Sequence, residues 1–234
     1  TGDRGLLAQL QRNEFTRYSQ QILARRGRVF VLTGTASAFR VRTLRDVSMA
    51  RGGALPGAEG QIYDPSAITE DNELTLALKS LGLQMASLPE CTVRTQVMPT
   101  LRGLWVQRHR WMRGALENLA TYGWRDATAR YWFQQVGIAY GAIALVGAIA
   151  LMVVTIANAQ TWVWYPFWIA IGAAFAVERT ASVWPVGWRG RILAALIIPE
   201  LAYDLLLQAC FVVSSLTMFA RRPMHWSAHR TEET

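Results

Sequence analysis

Two short clusters in this sequence have the residue types and spacing to do chemistry. The first is Thr69-Glu70-Asp71, followed by Asn72-Glu73-Leu74-Thr75. A carboxylate at the start of a helix can be held where a hydroxyl arrives and can take its proton as the oxygen attacks. Acids in a first turn also suit the helix dipole, so the residues alone leave both readings open. The second cluster is Gln107-Arg108-His109-Arg110-Trp111. Positions i, i+3 and i+4 of a helix share a face, which points Gln107, Arg110 and Trp111 together. An amide and a guanidinium can grip a diphosphate, and an indole face can stack on a sugar ring. A basic interfacial helix with an aromatic anchor has the same composition.

The elements that must position these clusters are readable from periodicity and breakers. Leu6, Leu7, Leu10, Tyr18 and Ile22 predict a helix from about Gly5 to Arg26, ended by Gly27. Arg28–Leu32 is a short β-rich run halted by Gly34. A helix follows near Thr43–Ala50, then a Gly- and Pro-rich loop, Arg51–Pro65, that reads as a mobile insertion. Thr69–Leu81 reads as a helix capped by Thr69 and stopped by Gly82. Leu83–Val97 alternates enough for one or two strands around Pro89, and Pro99-Thr100 opens the helix that carries the second cluster. Strands mixed with helices predict an α/β domain, here seen in part.

Charge divides the chain. Residues 1–135 hold 18 of the 24 basic and 11 of the 16 acidic residues. From Val136 onward apolar stretches lengthen, as in a cytoplasmic domain leading into a membrane anchor. Spans are expected at 136–157, 162–177 and 199–220. The first is long enough, at about 1.5 Å per residue, to cross a hydrocarbon core of roughly 30 Å. Trp162, Trp164, Tyr165 and Trp168 suit a membrane–water interface, and residues 111–135 suit interfacial amphipathic helices. Arg125 and Arg130 put the start of the first span inside, and Arg179, Arg189 and Arg191 return the second loop there. Three spans then leave Arg221-Arg222 outside, against the positive-inside rule. Val183–Arg189 reads as a tryptophan-rich interfacial turn. In the last span, Glu200, Asp204 and Gln208 fall on one helical stripe that would suit a polar path, or else Glu200 and Asp204 sit at the cytoplasmic interface. The scattered arginines argue against a nucleic-acid partner and fit anionic lipid. Cys91 and Cys210 give no disulfide framework, and His109, His225 and His229 have no metal-ligand spacing.

Thr69-Glu70-Asp71, followed 36 residues later by the Gln107-x-x-Arg110-Trp111 cluster, resembles the paired signature of the processive family 2 membrane β-glycosyltransferases. These are the cellulose, chitin and hyaluronan synthases and their bacterial relatives. Thr33-Gly34-Thr35-Ala36-Ser37-Ala38-Phe39-Arg40 looks like that family's glycine turn, with Thr33 where many members have Cys. The Arg51–Pro65 loop departs from the best-known synthases and looks closer to actinobacterial family 2 enzymes of unassigned product.

The resemblance implies the C-terminal part of a GT-A-like cytoplasmic domain at 1–110, interfacial helices at 111–135, about three transmembrane helices within 136–220, and a tail at 221–234. It implies a multi-pass cell-membrane protein of polysaccharide biosynthesis in the cell envelope. The reaction would be inverting transfer from a UDP-sugar to a growing β-linked glycan, coupled to export. Asp71 would be the base, with Glu70 and Thr69 helping to place it. Gln107, Arg108 and Arg110 would contact the nucleotide diphosphate, Trp111 would stack on the acceptor glycan, and Gly34 and Thr35 would lie beside the acceptor. The family's nucleotide-binding aspartate and Asp-x-Asp precede the glycine turn, and neither occurs here. A Mg or Mn ion is therefore expected to have its ligands in an N-terminal half outside this chain. Thr1-Gly2-Asp3, with no Met ahead, reads as the interior of a longer polypeptide. The chain alone is expected to be incomplete and inactive. The alternatives are a non-processive transferase acting on a membrane lipid and a catalytically idle scaffold subunit.

Overall fold

The computed structural model describes residues 5–93, 95–158 and 166–220. Among them are eight α-helices: α1 Leu6–Ala24, α2 Val41–Ala50, α3 Glu70–Ser80, α4 Leu101–Tyr122, α5 Asp126–Asn158, α6 Pro166–Ser182, α7 Trp188–Ala195 and α8 Ile198–Phe219. A single 3₁₀ turn, Trp184–Val186, precedes α7. Helix starts follow the breakers in the sequence. Thr100 caps α4 by accepting from the Gly103 N–H at 3.0 Å, and Pro199 sits in the first turn of α8. Trp162, Trp164, Tyr165, Arg221, Arg222, His225 and His229 lie outside the described residues.

The expected strands do not form. Among the described residues the extended segments meet only in two isolated bridges, Arg28 with Ala86 and Arg51 with Leu55. The reason lies in where the backbone of residues 30–34 finds its partners. The Phe30 carbonyl accepts from the Tyr131 hydroxyl, and the Val31 carbonyl from the Tyr18 hydroxyl at 3.3 Å. The Leu32 N–H donates to Thr75 Oγ1 at 2.9 Å, and the Gly34 N–H to Asp71 Oδ2 at 3.1 Å. Side chains from three helices thus satisfy a backbone that a sheet ladder would otherwise have used. In place of a sheet, an extended thread lies along α3.

Two apolar clusters organise the rest. The first gathers Val47, Leu55, Leu74, Leu76, Leu78, Leu119, Tyr122 and Tyr131, with Phe30 and Trp132 packed against it. Residues 72–78 of α3 are all buried, so this short helix is enclosed on every side. Each buried leucine contributes about 1.5–3 kcal/mol by leaving water. The second cluster joins Leu10, Leu104, Leu193 and Tyr203 from α1, α4, α7 and α8.

The Gly- and Pro-rich loop at 51–65, expected to be a mobile insertion, is folded around a charge. The Arg51 guanidinium is buried and makes a fork to Glu73, Nη1 to Oε1 at 2.8 Å and Nη2 to Oε2 at 2.9 Å. Its remaining donors hold the Pro56 and Ile62 carbonyls, both at 2.8 Å. Gly57 has φ +93°, and a Cβ there would meet Arg51 Nη1 at 3.2 Å, so only glycine fits this bend.

The apolar helices meet the polar ones at a second buried charge. Glu200, in the first turn of α8, accepts from Arg17 at 2.6 Å, Arg179 at 2.9 Å and Asn13 at 3.0 Å. Arg179 also donates to Asp204 at 2.8 Å. The acidic end of the Glu200–Asp204–Gln208 stripe therefore faces α1 and α6 and is closed by ion pairs, where a polar path would need it open. Two helices, α5 and α8, are long and apolar enough to cross a membrane. The 17 described residues of α6 stop short of that length. Residues 111–122 are the second half of α4, and 126–135 are the first turns of α5.

Arg51→Ala leaves Glu73 buried without its counter-charge and should cost about 3–5 kcal/mol, read as a lower unfolding midpoint in detergent. Arg51→Met combined with Glu73→Met should recover most of that loss. Equal midpoints for Arg51→Ala and the wild type would show that the pair contributes nothing.

Candidate active site

One stripe of α4 organises the site. Gln107, Arg110 and Trp111, Gly114, Asn118 and Tyr122 recur at three- and four-residue steps and lie on one face. Its lower half is packed against the head of α3. Asn118 Nδ2 donates to the Thr69 carbonyl at 3.1 Å, to Thr69 Oγ1 at 3.2 Å and to Asn72 Oδ1 at 3.1 Å. The Tyr122 hydroxyl donates to Glu73 Oε1. A Cβ on Gly114 would lie 2.5 Å from Thr69 Oγ1 and 2.7 Å from its Cγ2, so α3 approaches α4 this closely only because residue 114 has no side chain. Thr69 occupies the cap position of α3, as the sequence predicts. Its side chain makes no capping bond, however, because Asn118 takes it.

Asp71 sits in the first turn of α3 with both oxygens fixed. Oδ2 accepts from the Gly34 N–H at 3.1 Å and Oδ1 from the Asn72 N–H at 2.7 Å. Burial pushes its carboxyl above the ordinary carboxylate range, and the neighbouring Glu70 adds to the rise. The two backbone N–H groups and the Arg110 charge pull the other way without cancelling it. A carboxylate with a raised pKa is a stronger proton acceptor, which is what a general base needs. Glu70, Gly34 and Thr35 are exposed around it.

The upper half of the stripe runs on past Thr69. Gln107, Arg110 and Trp111 are half-buried, and Arg110 lies near enough to act on Asp71. Arg108 is placed differently. It is 5% exposed and points to the other side of α4, where its Nη2 pairs with Glu14 Oε2 at 2.8 Å. The Tyr203 hydroxyl donates to the same oxygen at 2.6 Å. The Arg108 guanidinium also lies 4.5 Å from the centre of the Trp111 ring and 5.5 Å from that of Phe15. Arg108 thus supports Trp111 from behind and is committed to Glu14, while Gln107 and Arg110 lie on the Asp71 side. His109 Nδ1 lies 2.7 Å from Ser214 Oγ, and burial lowers its pKa, with Arg113 adding to the effect.

A cleft of about 470 Å³ opens beside the lower half of α4, lined by Asp64, Glu73, Arg113, Asn118, Tyr122 and Met218, among others. It backs onto the acidic motif through Glu73 but includes neither Asp71 nor Gln107, Arg110 or Trp111. Among the described residues no three acidic, His or Cys side chains converge where they could hold a metal ion. The described residues thus do not fit a divalent cation, and the positive charge acting on Asp71 is that of Arg110.

Sequence reasoning missed Glu14, Arg51, Gly114, Asn118 and Tyr122. Three of these, Gly114, Asn118 and Tyr122, continue the Gln107–Trp111 face at helical spacing and were available to the same periodicity argument. Glu14 and Arg51 carried no local signal, because their partners lie 94 and 22 residues away.

The family model described as "Glycosyl transferase family group 2" matches residues 6–177, which include every residue of both clusters. Neither the curated proteins nor the solved structures give a significant match.

Gly114→Ala should push Thr69 and the head of α3 away from α4, costing about 1–3 kcal/mol of stability as overpacking. Thr69→Ala in the same protein removes the two nearest atoms and should restore part of the loss, a coupling readable in a double-mutant cycle. Additive effects would mean that the two helices do not meet at this point.

Proposed function

Because the chain belongs to glycosyl transferase family group 2, we propose that it activates the acceptor in an inverting transfer from a UDP-sugar to a growing β-linked glycan. The observation that carries this reading is the placement of Asp71. It is a half-buried, raised-pKa carboxylate fixed by two backbone N–H groups, with Arg110 of the α4 stripe near it. An acceptor hydroxyl arriving at Asp71 gives up its proton to the carboxylate as its oxygen bonds to the anomeric carbon. The bond from that carbon to the diphosphate breaks, and the UDP leaves with the electron pair. Attack from the face opposite the leaving group inverts the configuration.

The other residues then have separable roles. Arg110 and Gln107 face the departing diphosphate, and a guanidinium meets its oxygens with charge-assisted hydrogen bonds. Trp111, backed by Arg108, offers its ring to the acceptor sugar. The exposed backbone at Gly34 and Thr35 borders the same space. Glu70 raises the basicity of its neighbour. A divalent cation, when the family's chemistry uses one, would neutralise the diphosphate further, and no step here depends on it.

Membrane residence and export are supported by the apolar helices. The large side chains of α5 from Val136 to Ile156 are mostly exposed, a surface suited to lipid. The charged ends of α6 and α8 meet α1 at Glu200, which supports placing those ends and the polar domain on one side of the bilayer. In this reading that side is the cytoplasm, where the UDP-sugar is.

Three measurements test the reading in membranes carrying the complete enzyme, with the N-terminal half expected to hold the donor. Asp71→Asn keeps the size of the side chain and removes its basicity, so transfer should fall about 10²–10⁴-fold while the protein remains folded. Substantial turnover by this variant removes Asp71 from the mechanism. The acid limb of the wild-type pH profile should lie above the usual Asp value of about 3.9, because the carboxyl must be ionised to act. Glu70→Gln removes a like charge and should move that limb to lower pH. A limb that stays put means that another group is titrating. Trp111→Ala should abolish polymer with expression near normal. Loss of folded protein in step with activity would make Trp111 a structural anchor.

A further inference from the structure

Among the described residues, three cations near the start of α5 have no counter-charge within ion-pair distance. Arg25, just past α1, Lys79, in the last turn of α3, and Arg130, in the second turn of α5, converge on the ring of Phe30. Their charged groups lie 5.8, 5.4 and 5.0 Å from its centre. Lys79 also lies 5.1 Å from the centre of the Tyr131 ring, which packs against Phe30 at 4.3 Å. The described ion pairs of this protein engage Arg17, Arg51, Arg108, Arg113 and Arg179, and none engages these three. An aromatic face attracts a cation through its quadrupole but has no net charge to neutralise it. Lys79 shows the effect, its pKa lowered by burial and then by repulsion from Arg130 and Arg25. Like charges brought together by the fold in this way create a positive focus for an anion.

The surroundings narrow the choice of anion. Arg130 stands six residues ahead of Val136, where the apolar run of α5 begins. One turn past Arg130 an exposed stripe starts with Phe133 and continues through Val136, Tyr140 and Ile143 at helical spacing. Trp124 lies edge-on to Phe133 at 5.5 Å, an aromatic pair of the kind that settles at headgroup level. A soluble phosphate would be served by the cations alone. A phospholipid needs both features, cations for its phosphate and an apolar surface beside them for its chains. We infer that Arg25, Lys79 and Arg130 bind the phosphate of an anionic phospholipid whose acyl chains lie along Phe133, Val136, Tyr140 and Ile143. None of these residues belongs to the Asp71 site, so the inference stands or falls independently of the transfer chemistry.

Lys79 is the only lysine in the sequence, which makes the site directly addressable. The purified full chain in a neutral detergent is treated with an amine acetylating reagent, and the Lys79 peptide is followed by mass spectrometry. Parallel samples contain phosphatidylglycerol, phosphatidylcholine of the same chains, or inorganic phosphate. Phosphatidylglycerol should slow acetylation roughly tenfold or more relative to phosphatidylcholine. Inorganic phosphate at the same concentration should leave the rate unchanged. Arg25→Gln and Arg130→Gln, both at exposed positions, should each lower the protection several-fold. Arg42→Gln and Arg45→Gln remove the same charge from the exposed face of α2 and should not. Equal rates in the two lipids overturn the proposal, as does an equal loss of protection from the α2 variants. Equal protection by inorganic phosphate overturns the assignment to lipid.

Discussion

A carboxylate buried away from water must meet its counter-charge where it lies, and Glu73 imposes that condition on everything around it. It is 2% exposed, on a helix enclosed on all sides. Arg51 must therefore come inward, and once there its spare donors need carbonyls, which residues 56 and 62 supply. That requirement folds a loop whose composition reads as mobile. The second partner of Glu73, the Tyr122 hydroxyl, fixes the C-terminal end of α4 against α3. Burial, then the Glu73 hydrogen bond, raises the pKa of this tyrosine, so it remains a donor. Asp71, two residues from Glu73 in the same helix, inherits its position from this ion pair.

Helix α4 carries two duties on two faces. One face holds Gly114 and Asn118 against Thr69 and presents Gln107, Arg110 and Trp111 beyond them. The other holds Leu104 in the second core and Arg108 on Glu14. Neighbouring residues of one motif consequently do different work, with Arg108 tying the helix to α1 and α8 while Gln107 and Arg110 stay on the side of the candidate base. The link between the faces is the guanidinium of Arg108 on the ring of Trp111. An Arg-to-Lys change there would lose the planar group that both stacks and pairs.

Much of this organisation was legible in the residues. Gly27, Gly82 and Thr100 marked helix ends because each acts through its own local geometry. The two clusters were found by spacing along single helices, and the structure brings Asp71 and Arg110 into one neighbourhood. What escaped was whatever depended on a distant partner. Arg28–Leu32 has the composition of a strand, yet its backbone groups are taken by Tyr18, Thr75 and Tyr131. Arg51 resembled any other loop arginine until its distance from Glu73 was known. The last-span stripe was identified correctly as a stripe. Its role changed once Arg17 and Arg179 were seen to close its acidic end.

The Glu200 cluster also sets a schedule for synthesis. Asn13 and Arg17 belong to the first helix, and the carboxylate they share belongs to the last, 187 and 183 residues later. At about 5–20 residues per second, α1 emerges roughly 10–40 s before Glu200 exists. During that interval Arg17 and Asn13 lack the carboxylate, and their other partners outside α1 are the Ser182 hydroxyl at the end of α6 and the Gly190 carbonyl in α7. The arrival of one acidic residue on α8 then joins α1 to α6 through a shared carboxylate. The charge of Arg17 at this junction is thus balanced only once the last helix has been made.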